Sequence, residues 1–271
     1  MSKYKILVLD LDGTLTNKKK EITPRTLSVL EKAQQKGLKI VLASGRPTFG
    51  IMPLAEQLNL KQYGGYILSY NGGKIINLAN DEVLYQNVLD SSLLPYLYKC
   101  AKDNDFQILS YKNEYVFCEN PSDKYVEYEV MLNKMKSMKV ENWLDAVEEE
   151  LPKCLIVGDP EPLAKLEKKM FEHLKGKMNV FRSEPFFLEL VPMGIDKAKC
   201  LAILLEKIGM TKDEMIACGD GFNDLTMIQY AGLGVAMSNA QDVVKEAADY
   251  VTLSNEEDGV AFAVEKFYLN D

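Results

Sequence analysis

Residues 5–14 read Lys5-Ile6-Leu7-Val8-Leu9-Asp10-Leu11-Asp12-Gly13-Thr14. The aliphatic run up to Leu9 shows no polar alternation, the pattern of a strand buried on both faces in a parallel sheet. It stops at two acids and a glycine. In open parallel α/β sheets, ligands bind beyond the carboxyl ends of the strands, so the residues leaving each strand are the ones to read for chemistry.

Working outward, Thr23-Pro24 has the form of a helix N-cap followed by proline at the first helical position, and Gly37 closes that helix. Lys39–Ala43 reads as a second strand, with Gly45-Arg46-Pro47 opening a second helix, and Tyr66–Ser69 as a third strand. The alternation predicts a doubly wound α/β layer. After about residue 80 the pattern changes. Residues 106–111 and 114–118 alternate and are joined by Lys112-Asn113, an antiparallel hairpin. A strand at 153–157, a helix at 162–174 and strands at 179–182 and 186–191 complete an α+β set. Strand–helix alternation then resumes with a helix from Asp196, strands at 215–218 and 232–236, and helices from Asn223 and after Ala240. The expected organisation is a mostly parallel core over 1–80 and 192–271, interrupted by an α+β domain over 81–191.

Composition narrows the function classes. The 271 residues carry 32 basic and 40 acidic side chains, a formal net charge of −8. An acidic chain without a Lys/Arg block is unsuited to nucleic-acid phosphates. The short run Lys18-Lys19-Lys20, followed by Glu21, reads as a solvated loop. Hydrophobic residues at 47% support a sizeable packed core. The apolar run before Asp10 is too short for a secretory signal, and no stretch approaches the roughly 18 apolar residues of a membrane span. Five scattered cysteines without a CxxC pair fit reduced thiols in a cytoplasmic protein. The single histidine, His173, inside an apparent helix, argues against a multi-histidine zinc site and a Ser-His-Asp triad. No apolar repeat demands assembly, which suits a monomer or weak homodimer.

Carboxylates and lysine must therefore carry any chemistry. The first strand ends in Asp10-Leu11-Asp12-Gly13-Thr14, the second in Ser44-Gly45-Arg46 and the third in Ser69-Tyr70-Asn71-Gly72. The strand at 215–218 ends in Gly219-Asp220-Gly221-Phe222-Asn223-Asp224, and Lys197 starts the helix after the insertion. Singly, each has a bland reading. Asp-x-Asp-Gly is an acidic turn, Asn71-Gly72 a hairpin turn, Lys197 a solvated helix residue, Arg46 a helix-end cover and Cys218 a core thiol. Their joint placement at the strand ends of one sheet is what carries weight. Like charges about 4 Å apart cost on the order of 4 kcal/mol at an effective dielectric near 20. A shared cation removes that cost, and an oxygen-rich set favours Mg²⁺ over zinc. Ser44-Gly45, placed at a helix N-terminus, would suit a phosphate.

These stretches resemble the haloacid dehalogenase-like (HAD) phosphatases, specifically the Cof-type subfamily with a type IIB cap. Asp10-Leu11-Asp12-Gly13-Thr14-Leu15 matches the first motif and Ser44-Gly45-Arg46 the second. Lys197 matches the third, and Gly219–Asp224 the fourth. Ala198 follows the lysine where the family usually has glycine. The resemblance implies a Rossmann-like core with 81–191 as the cap controlling substrate access. It implies Asp10 as nucleophile and Asp12 as general acid and base. Mg²⁺ would be held by the Asp10 carboxylate, the Asp12 backbone carbonyl and the Asp220 carboxylate, with Asp224 in support. Ser44, Lys197, Asn223 and the Leu11 and Gly45 backbone N–H groups would cradle the phosphoryl oxygens. The substrate implied is a small phosphorylated metabolite, with a sugar phosphate favoured, and the Phe186–Glu189 stretch is a candidate specificity strand. A phosphomutase or phosphotransferase could use the same core, and a receiver-like signalling protein has similar acids. The 110-residue insertion and Asp12, which hastens loss of an aspartyl-phosphate, argue against the receiver.

Overall fold

The computed structural model describes residues 3–147 and 150–270. Its contacts divide the chain into two compact units. One comprises Met1–Gly45, Ile51–Tyr85 and Asp196–Asp271, and the other Arg46–Gly50 and Gln86–Ile195.

The first unit is built on an eight-stranded sheet. From one edge its strands run Tyr250–Val251, Leu233–Ala236, Met215–Gly219, Ile6–Leu9, Lys39–Ala43, Tyr66–Ser69, Lys74–Asn77 and Glu82–Gln86. The first six pair in parallel. Ile6–Leu9 is wholly buried at the centre, in register with Met215–Cys218 on one side and Lys39–Leu42 on the other. Successive side chains of a strand point to opposite faces. Leu7 and Leu9 accordingly join one apolar cluster with Ile40, Leu42 and Leu30, while Ile6 and Val8 join another with Val41, Leu201 and Leu204. That two-sided burial is why the sequence run lacks alternation.

Helix Pro24–Gln35 is capped as its sequence suggests, the Thr23 side chain accepting from the Thr26 N–H. Helix Lys197–Ile208 is capped by Asp196, whose side chain accepts from the Lys199 N–H, and Gly209 ends it at φ +67°. One extension was not anticipated. After Tyr66–Ser69 the chain turns through Tyr70, Asn71 and Gly72, all at positive φ, and Lys74–Asn77 returns antiparallel. The Asn71-Gly72 turn thus holds, but it adds strands beyond the parallel core.

The second unit carries a six-stranded sheet in the order Met178–Glu184, Phe187–Pro192, Cys154–Val157, Gln107–Lys112, Tyr115–Cys118, Lys136–Lys139. The Gln107–Lys112 and Tyr115–Cys118 strands form the expected hairpin, with Asn113 at φ +50°. One sheet face packs helices Leu94–Lys102 and Pro160–Leu174 around Leu97, Ile108, Trp143, Ile156, Met170 and Leu188. All five cysteines are free and buried, and burial pushes the Cys218 thiol up to about 12, so it is an inert core residue. His173 is exposed and stacks on Tyr96 with ring centroids 4.4 Å apart. Among the described residues no helix is long and apolar enough to cross a membrane.

Candidate active site

Four neighbouring parallel strands of the first unit, Met215–Gly219, Ile6–Leu9, Lys39–Ala43 and Tyr66–Ser69, end on the same edge. Their exits carry Asp220, Asp10, Ser44 and Asn71, so topology alone gathers these residues. Asp10 still belongs to the sheet through its N–H, which donates to Cys218 O at 3.1 Å. The chain then folds back sharply, with Leu15 N donating to Asp10 O at 3.2 Å and Thr16 N to Leu11 O at 2.9 Å. Gly13 makes this turn possible at φ +86°, and a Cβ there would collide with the Asp220 carboxylate.

Lys197 organises the buried acids. Its side chain is fully buried at the first turn of its helix, and Nζ donates to three oxygens: Asp10 Oδ1 at 2.7 Å, Asp224 Oδ1 at 2.6 Å and Ala43 O at 2.8 Å. The reading of Lys197 as a solvated helix residue therefore fails. Asp224 is also completely buried. The short 3₁₀ turn Phe222–Asp224 folds it back so that Oδ2 accepts from the N–H groups of Asp220, at 3.0 Å, and Gly221, at 2.9 Å. Both of its oxygens hold other parts of the site in place. Asp220 is partly buried and its Oδ1 accepts from Thr14 Oγ1 at 2.8 Å.

Carboxylate oxygens of Asp10, Asp220 and Asp224 all lie within 4.8 Å of one another. Burial, then the neighbouring Asp224, lifts the Asp10 carboxyl well above the ordinary carboxylate range, against the pull of Lys197. Burial likewise pushes Asp220 up to about 6. The Lys197 ammonium loses hydration by burial, but Asp10 and Asp224 outweigh that loss and hold it charged. Three acids against one lysine leave an excess of negative charge in a largely buried site. An all-oxygen donor set with that excess fits a hard divalent cation.

The remaining expected residues are placed as follows. Ser44 N donates to Leu68 O and Ser44 O accepts from Asn71 N, both at 2.9 Å. The next helix begins at Thr48, so Ser44 and Gly45 lie in the loop that leads into its N-terminus. Asn71 Oδ1 accepts from Asn223 Nδ2 at 3.1 Å, and a Cβ on Gly45 would come 3.0 Å from the Asn71 amide nitrogen. Asn71 thus joins the Ser44 and Asn223 loops, a role its turn signature did not reveal. Leu11 is fully buried and its carbonyl also accepts from Thr16 Oγ1. The Asp12 carboxylate does not join the buried acids; Oδ1 pairs with Lys20 Nζ at 2.6 Å. Lys20 lies in the exposed turn expected of residues 18–20, with its ammonium on Asp12. In the second unit, Glu189 is buried in an ion pair with Lys153 at 3.0 Å and accepts from Ser183 at 2.8 Å, which makes it a strut of the sheet. Arg46 Nη1 reaches Gly50 O, across the start of its helix.

An α/β sheet that ends in a lysine-bridged carboxylate cluster flanked by hydroxyl and amide loops defines a protein equipped for phosphoryl chemistry. The comparisons with known proteins make this specific. A family model for haloacid dehalogenase-like hydrolases matches residues 7–264, and the chain belongs to that family. A haloacid dehalogenase-like hydrolase from Bacteroides thetaiotaomicron is 55% identical, covers 98% of this chain and 100% of its own, and superposes with a TM-score of 0.96. A sugar phosphatase of HAD subclass IIB superposes with a TM-score of 0.79 at 25% identity, over 97% of this chain and 98% of its own. The 5-amino-6-(5-phospho-D-ribitylamino)uracil phosphatase YcsE of Bacillus subtilis is 31% identical over 98% of this chain and 96% of its own. The protein is a phosphatase, a phosphoric monoester hydrolase acting on a small phosphorylated molecule.

Proposed function

We propose that this phosphatase hydrolyses a sugar phosphate, with Mg²⁺, through a phosphoryl group held on Asp10. The observation that carries the reading is the buried Asp10–Lys197–Asp224 cluster at the strand ends, with Asp220 alongside. The sugar class is supported by the similarity to the subclass IIB sugar phosphatase. Asp10, Asp220 and the Asp12 backbone carbonyl are the groups assigned to hold the cation, with Asp224 fixing the Asp220 backbone through its N–H. When bound, the cation supplies charge neutralisation at the phosphoryl oxygens.

In the first step an Asp10 carboxylate oxygen attacks phosphorus, forming the aspartyl O–P bond while the bond to the ester oxygen breaks. Protonated Asp12 gives its proton to that oxygen, releasing a neutral alcohol. In the second step water attacks the same phosphorus and passes a proton to the Asp12 carboxylate. The aspartyl O–P bond breaks, and inorganic phosphate leaves with Asp10 restored as carboxylate. Ser44 and Asn223 are assigned to hold the phosphoryl oxygens, and Lys197 lends its charge, exchanging its N–H on Asp10 or Ala43 for a phosphoryl oxygen while Asp224 keeps it in place. The second unit is assigned the choice of substrate.

The test is phosphate release from a panel of phosphorylated sugars, polyols and nucleotides, with Mg²⁺ or chelator, for wild type and Asp10→Asn. Sugar phosphates should lead the ranking, and both chelator and the substitution should abolish release. Release that survives both would refute the mechanism. A phosphoryl group recovered on an added sugar rather than as inorganic phosphate would identify a transferase instead.

A further inference from the structure

The turn after Asp12 is built at some cost to place one side chain. Lys20 adopts φ +61°, a left-handed conformation that disfavours a non-glycine residue by on the order of 1 kcal/mol. Hydrogen bonds over-determine this shape. Asn17 Oδ1 accepts from Lys19 N at 2.9 Å and Glu21 N at 3.1 Å, Lys20 N donates to Asn17 O at 2.9 Å, and Asn17 N to Glu21 O at 3.0 Å. The turn is anchored to a distant part of the same unit. Lys18 N donates to Glu256 Oε1 at 2.7 Å, and Asn255 Nδ2 donates to Thr16 O at 2.8 Å. Asn255 N in turn donates to Asn239 Oδ1, whose amide donates to Gly13 O at 2.8 Å. The outcome is that Lys20 Nζ lies 2.6 Å from Asp12 Oδ1.

Stability does not account for this arrangement. Both side chains are substantially exposed, at 47% and 37%, and such a surface pair contributes little to folding. The hydrogen bonds of the turn account for its left-handed backbone, whereas the ion pair they hold in place adds little to folding and points to a role at Asp12. A carboxyl that first gives and then takes a proton must present the same oxygen in the same direction in both steps. A cation fixed on Oδ1 by a rigid turn restrains the rotation of that carboxyl group.

We infer that Lys20 is a positioning residue for Asp12, orienting its carboxyl for proton transfer to the leaving oxygen. The inference rests on the assignment of Asp12 as acid and base. Its signature is leaving-group dependence, because p-nitrophenoxide leaves with little need of a proton whereas phenoxide needs one. The experiment measures phosphoenzyme formation by rapid quench at saturating Mg²⁺, with p-nitrophenyl phosphate and phenyl phosphate, for wild type, Lys20→Gln, Lys20→Arg and Asp12→Asn. Lys20→Gln should lose roughly tenfold with phenyl phosphate and less than about twofold with p-nitrophenyl phosphate, a fraction of what a general acid contributes. Lys20→Arg should restore most of the loss, and Asp12→Asn should show the same split enlarged. Equal losses on both substrates would show that Lys20 acts only as a charge attracting phosphate, and no loss that it is a surface lysine; either overturns the inference. A split in Asp12→Asn without one in Lys20→Gln overturns the inference alone. Absence of a split in Asp12→Asn removes the Asp12 assignment and the inference with it. Thermal unfolding run in parallel should stay near wild type for the Lys20 variants, which separates these results from misfolding.

Discussion

Replacing Lys197 with methionine keeps most of the apolar stem of the side chain and removes its charge. In the wild type one ammonium satisfies Asp10 Oδ1 at 2.7 Å, Asp224 Oδ1 at 2.6 Å and Ala43 O at 2.8 Å, with no exposure of the lysine side chain. Without it, two buried carboxyl groups with oxygens within 4.8 Å of each other lose their common partner. At that separation and an effective dielectric near 20, the uncovered repulsion is about 3 kcal/mol. Deletion of one partner of a buried ion pair generally costs about 3–5 kcal/mol, and the variant should lose that much in metal-free buffer above about pH 8, where Asp10 of the wild type is ionised. The loss should shrink as the pH falls, because protonation of Asp10, already favoured by its burial, removes one of the opposed charges. Adding Asp10→Asn should do the same without acid. Urea unfolding followed by circular dichroism, run on both single variants and the double, gives the coupling between the sites, expected above about 1 kcal/mol. A Lys197→Met protein as stable as wild type, or a deficit that Asp10→Asn leaves untouched, would refute the claim that this lysine balances buried charge.

Other consequences are open to simpler tests. Gly13→Ala must place a side chain at φ +86° and against the Asp220 carboxylate. It should cost at least about 1 kcal/mol in stability and most of the phosphate release, and unchanged turnover would contradict the close approach. In the second unit, burial pushes Glu129 up to about 7 from an ordinary 4.5, while its Oε1 accepts from Tyr111 OH at 2.7 Å. Because the folded-state value is raised, that contribution is complete below about pH 4.5 and is lost as the pH rises to about 7, some 3 kcal/mol in all. Glu129→Gln should therefore flatten the dependence of stability on pH over that window. Trp143, the only tryptophan and fully buried in this unit, reports it by fluorescence during urea unfolding; parallel wild-type and variant profiles would defeat the argument.

Much of the fold was legible because its central strands are buried on both faces, so residues 6–9, 40–43 and 215–218 stand out as unbroken apolar runs. Lys74–Asn77 and Glu82–Gln86 escaped notice for the opposite reason. They are short, partly exposed and mixed in character, and pairing rather than composition makes them strands. The buried acids were legible through chain order, since each leaves a parallel strand at the same edge. The direction of each side chain was not. Asp224 reaches Lys197 only because the turn Phe222–Asp224 reverses it onto the Asp220 and Gly221 amides. Asp12 turns to Lys20 because a lysine takes a left-handed conformation that glycine or asparagine would ordinarily signal. The anchors of that turn, Asn239, Asn255 and Glu256, are more than 200 residues away in sequence. Such contacts follow from the completed fold and leave no local pattern to read.

The central claim is that the phosphoryl group passes through Asp10. It is tested most directly by quenching the enzyme in acid during turnover of a phosphorylated sugar with Mg²⁺ and mapping the phosphorylated peptide by mass spectrometry. The account predicts a hydroxylamine-sensitive phosphoryl group on Asp10, accumulating in Asp12→Asn and absent in Asp10→Asn. Turnover with no covalent phosphate, or with phosphate on another residue, would contradict it.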